Sequence, residues 1–202
     1  MTNVNTLLDK VIKGHRLSRD EGLELYQSAP LAVLGAAAQE RRFQKVPEKT
    51  VTYLVDRNIN YTNVCTTDCS FCAFYRVPGH PETYVLPKEV LGKKIQETLD
   101  LGGTRILFQG GHHPELRIEW YEDILKWIKT EFPAIHIDGF SPSEIDNIAE
   151  IENLSLYQVL QRLKTAGLDG LPGGGAEILD DDVRKRISPK KQKSDGWIDS
   201  MR

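Results

Sequence analysis

The sequence predicts an α/β fold, a partial (β/α) barrel of the TIM type preceded by helices. Three observations carry this. After residue 50, short β-branched or apolar runs alternate with stretches of helical periodicity, the pattern of βαβ units around a parallel sheet. Each run is followed by a polar or glycine-rich segment, and α/β barrels and open α/β sheets carry their sites at that edge. The chain has 202 residues, 40% hydrophobic and 27% charged, enough for one domain or two small ones with a real core.

Residues 1–49 read as a helical lead-in expected to cover one side or end of the main domain. Leu7, Leu8, Val11 and Ile12 share a face, with Gly14 at the C-cap position. Ser18 and Glu21 have capping-box spacing, and Pro30 opens an Ala-rich stretch that ends near Arg42. Residues 50–202 form the main domain. Val51 to Val55 is the first strand candidate, leading into polar Asn58 to Asn63. A helix from Lys88 to Leu101 stops at Gly102-Gly103, and the apolar run Arg105 to Phe108 is the second strand. Ile118 to Thr130 places Tyr121, Ile124, Leu125 and Ile128 on one helical stripe. A third strand, Ala134 to Phe140, precedes Ser141-Pro142-Ser143-Glu144. A helix follows with Leu156, Val159, Leu160 and Leu163 on one face and Gly167 as its stop. Leu168 to Leu171 is the fourth strand candidate, followed by the loop Pro172 to Gly175 and a polar helix over Asp180 to Arg186.

Charge and hydropathy exclude some functions. With 26 Lys+Arg against 29 Asp+Glu the net charge is −3, which argues against a nucleic-acid protein working through a broad basic surface. No apolar run approaches the roughly 18 to 20 residues that span a bilayer. Met1 to Gly14 lacks the cationic start and apolar stretch of a secretory signal. The expectation is a soluble, cytoplasmic protein that binds neither nucleic acid nor membrane. Arg184, Lys185, Arg186, Lys190, Lys191 and Lys193 follow Asp180 to Asp182 and read as a solvated helix face.

The chain has three cysteines, all in Cys65-Thr-Thr-Asp-Cys69-Ser-Phe-Cys72. An odd number confined to eight residues is a site rather than a disulfide framework. Thiolates suit iron–sulfur clusters or zinc. A cubane cluster is normally held by four cysteines, so three leave one iron open to a substrate or cofactor. The alternative is a Cys3His zinc knuckle closed by His80, a zinc-binding module without chemistry, although no second ligand pair is present. His112 and His113 follow the second strand and are candidates to bind a carboxylate or move a proton. Glu144 has the place of a first-turn helix acid. The triple glycine at 173–175 lacks the lysine and Ser/Thr of a P-loop and reads as a backbone approach to a ligand.

The C-x3-C-x2-C spacing, with aromatic Phe71 before the last cysteine, resembles the signature of the radical S-adenosylmethionine (radical SAM) superfamily. Asp56 to Asn63, Ala73 to Arg76, Gln109 to Pro114, Gly139 to Glu144 and Leu171 to Ile178 resemble, more narrowly, the cyclic dehypoxanthinyl futalosine synthase (dehypoxanthine futalosine cyclase) family, from about Leu7 to the C-terminus. That resemblance implies a 4Fe-4S cluster on Cys65, Cys69 and Cys72, whose open iron is chelated by S-adenosylmethionine. It implies a 5′-deoxyadenosyl radical that takes a hydrogen from the ribose of dehypoxanthine futalosine and cyclises it, in menaquinone biosynthesis. Gly110 and Gly111 are then expected at the methionine ammonium, Phe71 at the adenine, and Ser141, Glu144 and Glu177 at ribose or methionine. The implied partners are a nucleoside-derived small molecule and a one-electron donor such as flavodoxin or ferredoxin. The sister enzyme aminofutalosine synthase is the nearest alternative. The family implies a six-unit partial barrel. With four strand–helix units counted here, the expectation is a C-terminally truncated core, and a non-catalytic fragment is a further alternative.

Overall fold

The computed structural model describes residues 4–202; Met1 to Asn3, at the start of the expected helical lead-in, lie outside the described residues. The chain divides into two compact units, the first ending at Tyr53 and the second running from Leu54 to Arg202.

In the first unit three helices, α1 (Val4–Ile12), α2 (Arg19–Ser28) and α3 (Leu31–Lys45), bury a small core of Leu7, Leu8, Leu25 and Ala37. The capping box forms: Glu21 N–H donates to Ser18 Oγ, and Ser18 N–H donates to the Glu21 carboxylate at 2.7 Å. Lys10 pairs with Glu21 at 2.7 Å, joining α1 to α2.

The second unit is built on a parallel sheet, β1 (Asp56–Asn60), β2 (Arg105–Gln109) and β3 (His136–Gly139), in sequence order. Its helices are α4 (Lys88–Asp100), α5 (Ile118–Glu131), α6 (Pro142–Glu152), α7 (Leu156–Ala166), α8 (Asp181–Ile187) and α9 (Ser194–Ser200). Ile59, Ile106, Phe108 and Ile137 point from the strands into a core completed by Leu91 and Ile95 of α4, the Tyr121, Ile124, Leu125 and Ile128 stripe of α5, and Val159 and Leu163 of α7. Arg105, the first residue of the central strand β2, ties the sheet together by bridging Asp56 of β1 and Asp138 of β3. Gly167 ends α7 with φ 117°, a left-handed conformation that needs glycine.

Two expectations are corrected. The first strand is Asp56–Asn60, not Val51 to Val55; Val51 and Tyr53 are 80% and 89% exposed. β propensity reflects packing on a sheet face, and here the polar segment pairs with β2. The fourth strand shrinks to one parallel bridge, Asp138 to Gly170, at the edge of β3. Between β3 and Gly167 there are two helices rather than one: Ser141 caps α6 with Pro142 at its first turn.

Candidate active site

The cysteine loop follows β1 at the carboxyl end of the sheet and is pinned at both ends. Cys65 N–H donates to Arg76 O, Arg76 N–H to Asn63 O, and Thr66 N–H to His112 O beyond β2. Asn63 clamps the returning chain, donating from Nδ2 to Glu82 O and accepting from Tyr84 N–H. Asp68 takes φ +55°, a left-handed turn that Asp tolerates, and its carboxylate accepts from Tyr75 OH at 2.6 Å. Ser70 N–H donates to Ile187 O at 2.8 Å, tying the loop to the end of α8.

Cys65, Cys69 and Cys72 share a cavity of about 110 Å³ with Thr67, Phe71, Tyr75, Gly110, Gly111, His112, Ser141, Ser143, Glu144 and Lys191. A larger hollow, about 590 Å³, lies at the other end of β1, where Asp56 pairs with Arg105 and Arg57 with Glu97. The chemistry-bearing residues gather in the smaller one.

Beneath the cavity Tyr61, Phe108, Tyr121 and Phe140 pack ring against ring at 4.9 to 6.1 Å. Tyr61 OH donates to Glu144 Oε1 at 2.8 Å, and Gly110 N–H donates to the same oxygen at 3.0 Å. Burial holds the Glu144 carboxyl above its ordinary range, opposed by these bonds and by its bond to Ser141. Burial beside this carboxylate pushes the Tyr61 phenol well up. Ser141 Oγ accepts from Glu144 N–H as the N-cap of α6.

The glycine pair brings the end of β2 against the cysteine loop. A Cβ on Gly110 would lie 2.5 Å from the Tyr61 ring, and one on Gly111 would lie 2.5 Å from Val64 O and 2.7 Å from Cys65 Cβ. His112 follows, its N–H donating to Cys65 Sγ at 3.4 Å. Burial lowers its imidazole to about 4, helped by the Lys191 charge, and Nε2 is buried with no hydrogen-bond partner. His112 is therefore neutral at pH 7.

Nine of the expected residues meet at this cavity: the three cysteines, Phe71, Gly110, Gly111, His112, Ser141 and Glu144. His113 and Glu177 do not line it. His113 Nδ1 accepts from Glu115 N–H in its own turn. The Glu177 carboxylate takes Lys191 at 2.7 Å and faces the Arg184 guanidinium at 3.7 Å. Lys191 corrects the reading of the basic run as a solvated face: its side chain is 12% exposed, lines the cavity, and lies 5.9 Å from the Phe71 ring. Arg184, also read as solvated, is buried and donates to the carbonyls of Gly175, Ala176, Ile178 and Gln192. Nothing local distinguishes these two cations from their exposed neighbours. Tyr61 and Thr67 were also missed; an aromatic directly after a strand and a threonine between two cysteines were the available signals.

The donor set suits a cluster. The three thiols line one cavity, with the Thr67 hydroxyl against Cys65 and Cys69, and thiolates are the ligands that iron–sulfur clusters take. His80 is not at the cavity; its Nδ1 accepts from Glu82 N–H. The unpartnered His112 Nε2 leaves a polar atom for a bound group to meet.

Residues 59–202 match the family model of the Radical SAM superfamily. Over 99% of its length the chain is 48% identical to cyclic dehypoxanthine futalosine synthase of Halalkalibacterium halodurans, covering 54% of that protein. It is 45% identical over 80% of its length to 5-amino-6-(D-ribitylamino)uracil–L-tyrosine 4-hydroxyphenyl transferase of Methanopyrus kandleri, covering 43% of it. The chain thus spans about half the length of the curated relatives it matches. Among solved structures, methylornithine synthase superposes with a TM-score of 0.70 at 17% identity, over 96% of this chain and 54% of that one. The FeFe-hydrogenase maturase HydG gives 0.75 at 14% identity, over 98% of this chain and 42% of that one. These two likenesses concern the fold, a partial TIM-type barrel with a parallel sheet. The family match covers the cysteine loop and every strand after it, and the chain belongs to the radical SAM superfamily.

Proposed function

We propose that this chain carries the cofactor-binding part of a radical SAM cyclase that converts dehypoxanthine futalosine to cyclic dehypoxanthinyl futalosine, in menaquinone biosynthesis. The observation that carries it is the cavity itself: three cysteines, no fourth in the sequence, and a neutral imidazole, a buried carboxylate and an ammonium around them. The relatives named for this reaction, at 48% and 41% identity over 99% and 98% of the chain, support the choice of substrate.

Cys65, Cys69 and Cys72 would hold a 4Fe-4S cluster with one iron open to the amino and carboxylate groups of S-adenosylmethionine. When bound, this pair supplies a 5′-deoxyadenosyl radical that abstracts hydrogen from the substrate ribose. Lys191, steered by Glu177, is the cation for a cofactor carboxylate. Glu144 holds the Gly110 amide and Tyr61 hydroxyl, fixing the carboxyl ends of β1 and β2 against the cysteine loop. Phe71, 54% exposed, offers a ring face for the adenine. Restoring aromaticity after ring closure releases one proton and one electron: the electron returns to the oxidised form of the one-electron donor, and His112, whose Nε2 is buried and unpartnered at the cavity, is the residue placed to take the proton. The first electron comes from a low-potential carrier of the flavodoxin or ferredoxin kind.

The test is anaerobic reconstitution with iron and sulfide, then incubation with S-adenosylmethionine and each substrate in turn. Formation of 5′-deoxyadenosine together with the cyclic product supports the reading. Product only from the enolpyruvyl ether used by aminofutalosine synthase, or only from the ribitylaminouracil and tyrosine pair, contradicts it.

A further inference from the structure

We propose that Thr67 is a positioning residue that sets the reduction potential of the cluster by donating its hydroxyl hydrogen to the ligand sulfurs. This rests on the reading that Cys65, Cys69 and Cys72 hold a cluster. Thr67 is 3% exposed, lines the cavity, and places Oγ1 3.0 Å from Cys65 Sγ and 3.4 Å from Cys69 Sγ. A sulfur bonded to iron has lost its proton and only accepts. The hydroxyl must therefore be the donor, and with one proton it serves one sulfur at a time. The shorter contact makes Cys65 the main acceptor. Cys65 Sγ also accepts from His112 N–H at 3.4 Å, while Cys72 Sγ has no donor among the described hydrogen bonds.

The three ligands are thus unequal. Cys65 is met by two donors, Cys69 has an alternate claim on one of them, and Cys72 has none. Hydrogen bonds to cluster sulfurs stabilise the added negative charge when the cluster takes an electron, and so raise its potential. An electron from a low-potential carrier is then easier to accept. The neighbouring Thr66 cannot do this, because its hydroxyl is turned to His112 O.

The experiment is an anaerobic redox titration of the reconstituted chain, with dithionite as reductant and the reduced cluster followed by EPR, at matched iron content. Thr67→Val is expected to lower the ratio of reduced to oxidised cluster about tenfold at a fixed potential, equivalent to about 59 mV for one electron. Thr67→Ser, which keeps the hydroxyl, is expected to restore the wild-type midpoint. One midpoint for all three proteins overturns the proposal. Should Thr67→Val fail to retain the cluster, Thr67→Ala removes the same proton from a smaller side chain. Resonance Raman in deuterated water gives a further reading: iron–cysteine sulfur bands that shift more in the wild type than in Thr67→Val support the bond, and equal shifts in the two overturn it. Wild-type protein that assembles no iron–sulfur chromophore overturns the cluster reading, and this inference with it. A cluster whose potential ignores Thr67 overturns this inference alone.

Discussion

Gly22 in α2 and Gly35 in α3 have nothing within 4 Å of the place where a Cβ would sit, while at Gly111 that atom would strike Val64 O and Cys65 Cβ. The contrast extends to the regions around them. Among its described residues the first unit is held by such features as a capping box, the Lys10–Glu21 ion pair and a small core around Leu7, Leu8, Leu25 and Ala37, which are local devices. At the carboxyl end of the sheet, segments far apart in sequence meet: Thr66 with His112 and Ser70 with Ile187 backbone to backbone, and the Gly110 amide with the Glu144 carboxylate. Slack is tolerated where only a helix is required. It is removed where thiols, an imidazole and a carboxylate must share about 110 Å³.

Substitutions that fill or loosen these places test the contrast. The largest effect is expected from Gly111→Ala, whose new methyl meets backbone that cannot swing aside. It should destabilise the second unit by about 3 kcal/mol, the upper part of the overpacking range, and abolish iron incorporation, read by denaturant unfolding and iron analysis. Acid should act nearly as strongly through His112. Its folded value of about 4 lies below the ordinary 6.5, so the unfolded chain takes up the proton first. Its contribution is complete above pH 6.5 and lost as pH falls toward 4, worth up to about 3 kcal/mol. Urea titrations of the metal-free protein at pH 7.5 and 4.5, compared with His112→Gln, would show a smaller acid loss in the variant. Arg184→Lys keeps the charge but not the fork that reaches Gly175, Ala176, Ile178 and Gln192. It should cost about 2 kcal/mol and speed hydrogen exchange in residues 174–193, with the sheet unaffected. In the first unit Ser18→Ala should cost only about 1 kcal/mol. Gly35→Ala should stabilise by about 0.5–1 kcal/mol; a loss at Gly35 would break the comparison.

What could be read in the sequence follows the same division. The helices of the first unit, the α5 stripe, the Gly167 stop and the cysteine motif are local patterns, and each is where its pattern places it. β1 was shifted because Val51, Tyr53 and Leu54 have strand-like side chains, whereas pairing with β2 selects Asp56–Asn60 through the sheet register and the Asp56–Arg105 ion pair. Glu144 and His112 were legible as residues after strands. That the glycine pair is shaped to Tyr61 and Cys65 was not, because those contacts join segments about 50 residues apart. Lys191 and Arg184 were hidden among like charges; the loop over residues 175–178 and the turn between α8 and α9 enclose them only once the chain is folded. Ser141-Pro142 did carry a helix-start signal, and α6 begins there.

The central claim is that three thiols hold a cluster whose fourth iron accepts S-adenosylmethionine. The most direct measurement is EPR of the reduced, reconstituted chain before and after S-adenosylmethionine is added, with iron and zinc counted in the same sample. About four irons per chain and a cluster signal that changes on addition are the predicted result. Zinc in place of iron, or a cluster signal indifferent to S-adenosylmethionine, would contradict it.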